Sequence, residues 1–197
     1  ATGLIRMTDW DGSNNLVDPM CGSGTFLIEA VSILLDIPSS LNKKFLFENW
    51  PDFDSSIWDE ELKMAVEAKP FNKKFPKVIG CEVDEIIAKY ALENVIKAGL
   101  EDFIEIINCP FQEFQLPPGL GLLICNPPYG KRIGDENQLS DLYKQLGEYC
   151  KRKASGWDLW LLNGNPKLSK FLGMKASRRF QVNNGSIDCR WLNYKIK

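Results

Sequence analysis

Asn126-Pro127-Pro128-Tyr129 follows an apolar, strand-like run, Leu120 to Cys125. An amide oxygen, a proline carbonyl stiffened by a second proline, and a phenol ring form a set suited to a flat aromatic amine. The exocyclic nitrogen of a nucleobase is a poor nucleophile, because its lone pair is delocalised into the ring. Two acceptors that take both amine hydrogens, the Asn126 side-chain oxygen and the Pro127 carbonyl, favour a pyramidal nitrogen. They also stabilise positive charge developing there. Pro128 keeps the carbonyl aimed, and Tyr129 offers a stacking face worth on the order of 1–3 kcal/mol per base. No general base is demanded, since a substituted amine that has turned cationic loses its proton to water. The chain contains no histidine, which removes Ser-His and Cys-His catalysis. An isolated Asn-Pro-Pro is most often a plain turn. This one stands apart because a ligand-binding loop lies three strands upstream.

That loop is Asp18-Pro19-Met20-Cys21-Gly22-Ser23-Gly24-Thr25, about one hundred residues before Asn126. Its glycines let the backbone approach a ligand closely, and they leave the first N–H groups of the following helix free for an anionic group. No lysine follows the last glycine, so it is not a phosphate-binding P-loop, and the Gly-x-Gly-x-x-Gly fingerprint of dinucleotide enzymes is missing. A dehydrogenase is thereby disfavoured. The next strand ends Gly80-Cys81-Glu82-Val83-Asp84. An acid at that strand end can accept both hydroxyls of a ribose, which makes Glu82 the candidate ribose ligand, beside Val83. Asp84 reads as the N-cap of the next helix.

Stepping outward, apolar runs alternate with helical periods. That alternation predicts an α/β fold with a mostly parallel sheet covered on both faces. Strands are expected at Leu16–Pro19, Lys77–Val83, Phe103–Asn108, Leu120–Cys125 and Asp158–Leu162, with two final strands at Arg178–Val182 and Ile187–Tyr194. The connection Asn183-Asn184-Gly185-Ser186 signals a terminal hairpin with one strand antiparallel to the rest. Helices are expected at about Thr25–Asp36, Glu85–Ala98 (stopped by Gly99) and Ser140–Lys153, and a short one near Lys167–Leu172. Residues 37–76 read as an insertion holding Trp50, Phe53, Trp58 and a charged helical stretch near Asp59–Ala68.

At 197 residues, 44% hydrophobic and 25% charged, the chain is a single soluble domain with a full core. No apolar run approaches the roughly 18 residues of a membrane span. Six cysteines without a Cys-x-x-Cys pair exclude a zinc knuckle and predict no metal; they point to a reducing, cytoplasmic setting. The net charge of −2 hides an asymmetry. Residues 1–129 hold 10 Lys+Arg against 20 Asp+Glu, and residues 130–197 hold 14 against 6. The basic third begins directly after Tyr129. Lys131, Arg132, Lys167, Arg178 and Arg179 are its candidate phosphate contacts, with a solvated lysine-rich face as the bland alternative.

Taken together, these residues resemble the Rossmann-like S-adenosylmethionine-dependent methyltransferases that modify exocyclic amines. Among those, the chain is most similar to the RNA guanine-N2 methyltransferases found behind a THUMP domain, typified by the bacterial large-subunit (23S) ribosomal RNA enzyme. The carriers are the Asp18–Thr25 loop, Gly80–Asp84 and Asn126-Pro127-Pro128-Tyr129-Gly130-Lys131-Arg132. The more family-specific segments are Asn163-Gly164-Asn165-Pro166-Lys167 and Ser177-Arg178-Arg179.

The resemblance implies a class I fold with a seven-stranded sheet and S-adenosyl-L-methionine as donor. Asp18, Pro19, Cys21, Gly22, Ser23, Gly24 and Thr25 would line the methionine end of the donor, with Glu82 on its ribose. Asn126 to Tyr129 would hold a guanine amine of RNA, and Asn126 would also touch the donor. The family usually carries an acid after strand three to accept the adenine amino group. Here the sequence reads Asn108-Cys109-Pro110-Phe111, which leaves adenine to Pro110 and the Phe111 backbone and ring, or to a weaker contact. The resemblance also implies an RNA-binding module upstream, so that a chain opening at Ala1 reads as a fragment. Methylation of adenine N6 in DNA or RNA, methylation of guanine in transfer RNA, and a non-catalytic RNA-binding module with a vestigial donor fold remain the competing expectations.

Overall fold

A computed structural model describes residues 1–37, 44–66, 74–129 and 136–197. Lys131 and Arg132 lie outside the described residues. Seven strands form one sheet: β1 (Asn15–Asp18), β2 (Val78–Glu82), β3 (Ile104–Asn108), β4 (Gly121–Cys125), β5 (Asp158–Asn163), β6 (Arg178–Asn184) and β7 (Ile187–Lys195). Their order is β3-β2-β1-β4-β5-β7-β6. β1 to β5 pair in parallel, and β7 runs antiparallel between β5 and β6. All five residues of β4 are buried, as a central parallel strand covered on both faces requires.

This order places the site. The chain steps outward from β1 to β2 and β3, then returns to the other side of β1 for β4. β1 and β4 are therefore hydrogen-bonded neighbours, in register Asn15↔Gly121 to Val17↔Leu123. Segments one hundred residues apart in sequence leave the sheet side by side at its carboxyl edge, the topological switch point where ligands bind in such sheets. β6 runs in the same direction as β5, because both oppose β7. The end of β6, Asn183 and Asn184, thus returns to the same rim. Gly185, at φ +61°, occupies the first position of the two-residue turn to β7, where a hairpin of this kind needs glycine.

Among the described residues, five α-helices accompany the sheet: α1 (Thr2–Arg6), α2 (Thr25–Leu34), α3 (Ser55–Val66), α4 (Glu85–Lys97) and α5 (Glu136–Lys153). One sheet face packs on α1, α2 and α4 through Ile5, Leu27, Val31, Ala91 and Val95. The other packs on α5 through Tyr143, Leu146, Tyr149 and Cys150. A 3₁₀ turn, Leu168–Leu172, lies against α5. The approach is so close that a Cβ on Gly147 would sit 2.1 Å from the Leu172 carbonyl oxygen. Asp84 caps α4 by accepting from the Ile86 and Ile87 N–H groups at 2.9 and 3.1 Å, as its sequence position predicts.

Differences from the sequence reading are small and have local causes. α1 was not foreseen, because five residues carry too little periodicity. α5 begins at Glu136, ahead of the expected Ser140, on a polar first turn that hydrophobic spacing cannot mark. Within the expected insertion, the 3₁₀ turn Leu46–Asn49 and α3 surround a cluster of rings. Phe47 there meets Phe45, Trp50, Phe53 and Trp58 at centroid distances of 5.1–6.3 Å. The six cysteines are all unpaired, five of them buried. No helix among the described residues is long and apolar enough to cross a membrane.

Candidate active site

β1 ends at Asp18, whose carboxylate is buried (2% exposed) and accepts from the Met20 N–H at 3.1 Å. The chain then turns sharply into α2. The Cys21 N–H donates to the Cys81 carbonyl and the Gly24 N–H to the Cys21 carbonyl, each at 2.9 Å. Gly22 and Gly24 hold φ of +54° and +79°, where a side chain is strained. Gly24 packs on Ala91 of α4, while the Cβ direction of Gly22 meets nothing within 4 Å and opens onto a cavity. The loop is tied laterally, with Asn94 of α4 donating to the Ser23 carbonyl at 3.1 Å.

Glu82, at the end of β2, braces this loop. One carboxylate oxygen accepts from the Gly22 N–H at 3.1 Å and the other from the Asp84 N–H at 3.0 Å. Asn108, at the end of β3, donates to the Glu82 and Val83 carbonyls at 2.8 and 3.1 Å. That clamp was missed in the sequence, where Asn108 reads only as a strand terminus.

Two cavities meet at this rim. One, of about 570 Å³, is lined by Asp18, Cys21 to Ser23, Thr25, Gly3 and Leu4 of α1 and Met7 just after it, with Asn183 and Asn184 from β6. The other, of about 650 Å³, is lined by Pro19, Glu82, Val83, Pro110, Phe111 and Asn126 to Tyr129. Met20, Gly22 and Asn126 line both. The structure thus gathers Asp18, Pro19, Cys21, Gly22, Ser23, Thr25, Glu82, Val83, Pro110, Phe111 and the Asn-Pro-Pro-Tyr segment into one continuous depression. Gly24 lies beneath it as the turn residue. Phe111 contributes to the wall while its ring is buried edge-on against Tyr149, with centroids 5.5 Å apart. The Asn126 side chain has no hydrogen bond to another described residue and stays available to a ligand.

Tyr129 is held from two sides. Its hydroxyl accepts from the Asn184 amide at 2.8 Å. Its ring lies over Gly164, where a Cβ would come within 2.5 Å of the ring carbons. Neither partner was singled out for this role: Asn184 read as a turn residue, and Gly164 as part of a family-specific segment without an assigned contact. The remaining sequence candidates scatter. Lys167 is exposed at the 3₁₀ turn. Arg178 and Arg179 are adjacent on a strand and so point to opposite faces. Arg178 pairs with Asp9 at 3.0 Å and lies 5.3 Å from the Trp160 and Phe180 ring centres. That stacking fixes it against the α1 side of the sheet.

The electrostatics of the first cavity are set by Asp18. Burial pushes its carboxyl up to about 8, the Glu82 carboxylate adds to the rise, and the Met20 N–H opposes it. A buried acid held partly neutral beside an open cavity suits a ligand that brings a cation. Burial also raises the Cys21 thiol, with Asp18 next in effect, so Cys21 is an inert wall and no thiolate nucleophile.

The seven-stranded sheet in the order β3-β2-β1-β4-β5-β7-β6, with β7 antiparallel, is the Rossmann-like architecture of the class I methyltransferases. The chain belongs to the family described as RMKL-like, methyltransferase domain, whose model matches residues 1–193. It is 38% identical over 197 residues to slr0064 of Synechocystis sp. (strain ATCC 27184 / PCC 6803 / Kazusa), provisionally named an RNA methyltransferase; the match covers all of this chain and 51% of that protein. It is 32% identical over 197 residues to the ribosomal RNA large subunit methyltransferase K/L of Desulfotalea psychrophila (strain LSv54 / DSM 12343), covering 96% of this chain and 27% of that protein. The chain therefore spans about half or less of these relatives. The crystal structure of the methyltransferase-like SMU.472, complexed with SAH, superposes with a TM-score of 0.89 at 29% identity, over all of this chain and 52% of that one.

S-adenosylmethionine is the donor of this family, and the residues present fit it. The buried Asp18 carboxyl lines the cavity with no cationic side chain among the described residues paired to it, ready for a cationic group. Glu82 presents carboxylate oxygens at the second cavity, and the open Gly22 position leaves room for close approach.

Proposed function

We propose that the chain transfers a methyl group to the exocyclic N2 amine of a guanine in RNA, with 23S ribosomal RNA as the preferred substrate. The observation that carries this reading is the position of Asn126, which lines both cavities at the end of β4. Asp18 in the first cavity and Glu82 in the second are donor contacts in this reading, and Pro127 to Tyr129 share the second with Glu82, so Asn126 stands where donor and base would meet. S-adenosylmethionine, when bound, would supply an electrophilic methyl group and be left as S-adenosylhomocysteine.

The chain's own residues do the rest. The Asn126 amide oxygen and the Pro127 carbonyl accept the two amine hydrogens, localise the nitrogen lone pair and stabilise the charge formed as the new N–C bond closes. Tyr129 stacks on the base, aimed by Asn184 and Gly164. The surplus proton leaves to water. Asp18 and the Gly22–Gly24 turn hold the amino-acid end of the donor, and Glu82 its ribose diol. Val83, Pro110 and Phe111, which line the second cavity, would take the adenine in place of a specific acid. A target inside a duplex must be turned out of its stack to reach this depression, and an RNA-binding module elsewhere in the same polypeptide would supply much of the affinity.

The test is product identity. The chain is incubated with isotopically labelled S-adenosylmethionine and unmodified 23S rRNA, transfer RNA or DNA. Each nucleic acid is then digested to nucleosides for mass spectrometry. Label in N2-methylguanosine from rRNA is expected. Label confined to N6-methyladenine, to DNA or to transfer RNA would replace the substrate assigned here. Donor binding without transfer to any of them would favour a vestigial fold.

A further inference from the structure

On the α5 side of the sheet, the terminal hairpin and the 3₁₀ turn enclose a groove of about 280 Å³ that is separate from the two cavities. Its floor is apolar, formed by Met174, Ala176, Leu192 and Tyr194, and its walls carry Lys170, Arg179 and Arg190. All three cations are exposed. The register explains their convergence. Arg179 is opposite Leu192 and Gln181 is opposite Arg190, so Arg179 and Arg190 stand on one face of neighbouring strands, diagonally related. Lys170 reaches in from the turn. No acidic side chain among the described residues lies within ion-pair distance of any of them, in contrast to Arg178 on the opposite face, which is neutralised by Asp9. The acid on their own face is Asp188, one alternate position along β7 from Arg190 and opposite Asn183.

The groove is tied to the active site through one short segment. Asn163-Gly164-Asn165-Pro166 leaves the end of β5, passes under the Tyr129 ring at Gly164, and reaches the groove wall at Pro166. Within the segment, Asn163 donates to the Asn165 carbonyl at 2.8 Å and accepts from the Asn165 N–H at 2.9 Å, which fixes its course. The segment thus runs from beneath the Tyr129 ring to three cations that no acid among the described residues pairs. An apolar floor with a cationic wall suits ribose above and phosphate beside it.

We infer that the groove walled by Lys170, Arg179 and Arg190 is a subsite for the RNA backbone flanking the target nucleotide, engaging phosphates without reading sequence. The inference rests on the RNA reading above and extends it by giving the substrate strand a path on the surface.

The experiment measures binding of the chain to a fluorescent single-stranded RNA by anisotropy across a salt series, for the unaltered chain, an Arg179→Gln/Arg190→Gln double variant and a Lys170→Glu variant. Calorimetry with S-adenosylhomocysteine checks that the donor site is intact in each. Losing two phosphate contacts lowers the slope of log affinity against log salt by about 1.4. Between about 50 and 200 mM salt, the unaltered chain then loses about sevenfold more affinity than the double variant. Lys170→Glu weakens binding at low salt, with donor affinity preserved in every variant. An unchanged slope in the double variant, or no RNA binding by the unaltered chain, would overturn the subsite. RNA binding with the expected slope change, but no methyl transfer to that RNA, would leave the subsite standing and remove the methyltransfer reading instead.

Discussion

Asp18 is the residue whose chemistry is most altered by its position. The folded chain holds its carboxyl proton up to about pH 8, whereas the unfolded chain releases it near the ordinary carboxylate value of 3.8. Between those limits the folded state binds more protons, so donor-free stability falls as pH rises from about 4 toward 8. Thermal unfolding followed from pH 5 to 8 should show a decline that Asp18→Asn removes. Parallel curves for the two proteins would mean that Asp18 is not the proton holder. Glu82 makes a different prediction, because its carboxylate both braces Gly22 and faces the second cavity. Glu82→Ala should weaken S-adenosylhomocysteine binding by about tenfold to a hundredfold, the worth of one hydrogen bond to a charged group. Turnover at saturating donor should change far less. Unchanged affinity by calorimetry would take the ribose assignment away from this residue.

At the scale of elements, the acceptor side depends on how a loop and a hairpin hold one ring. Gly164→Ala would drive a methyl group into Tyr129 and force the ring off the position set by the Asn184 hydrogen bond. A displacement of about an ångström in a reacting pair can cost a hundredfold in rate, so turnover should fall by about that factor with donor affinity retained. Equal turnover in the variant would show that the position of Tyr129 is not catalytic.

The same elements mark what could be read without coordinates. The strands, the parallel sheet and the hairpin were legible because buried β-strands and amphipathic helices leave distinct periods, and because glycine and proline punctuate them. That the Asp18–Thr25 loop and Asn126–Tyr129 follow strand ends was legible for the same reason, and both segments line the depression. The contacts of Gly164, Asn184 and Asn108 were not. Each acts on a residue far away in sequence, 55 positions in the case of Asn184 and Tyr129, and only the strand order brings them together. Arg178 and Arg179 show the reverse error of scale. Adjacent basic residues read as one patch, yet strand geometry sends them to opposite sides, one onto Trp160 and Asp9 and the other into the groove.

For the whole molecule, the determining fact is topological. Placing β4 beside β1 joins the Asp18–Thr25 loop and the Asn126–Tyr129 segment at one edge, and the antiparallel β7 returns β6 to that edge with its two asparagines. The first 129 residues, acidic in balance, supply the Asp18–Thr25 loop, Glu82 and the Asn126–Tyr129 segment, and the basic remainder carries the groove of Lys170, Arg179 and Arg190. The claim at the centre of this arrangement is that Asn126 serves the acceptor while merely bordering the donor. Single-turnover kinetics of Asn126→Ala with saturating RNA, set beside calorimetry with S-adenosylhomocysteine, tests it directly. The rate should fall by about two to three orders of magnitude with donor affinity nearly unchanged. A donor affinity that collapses in step with the rate would contradict it.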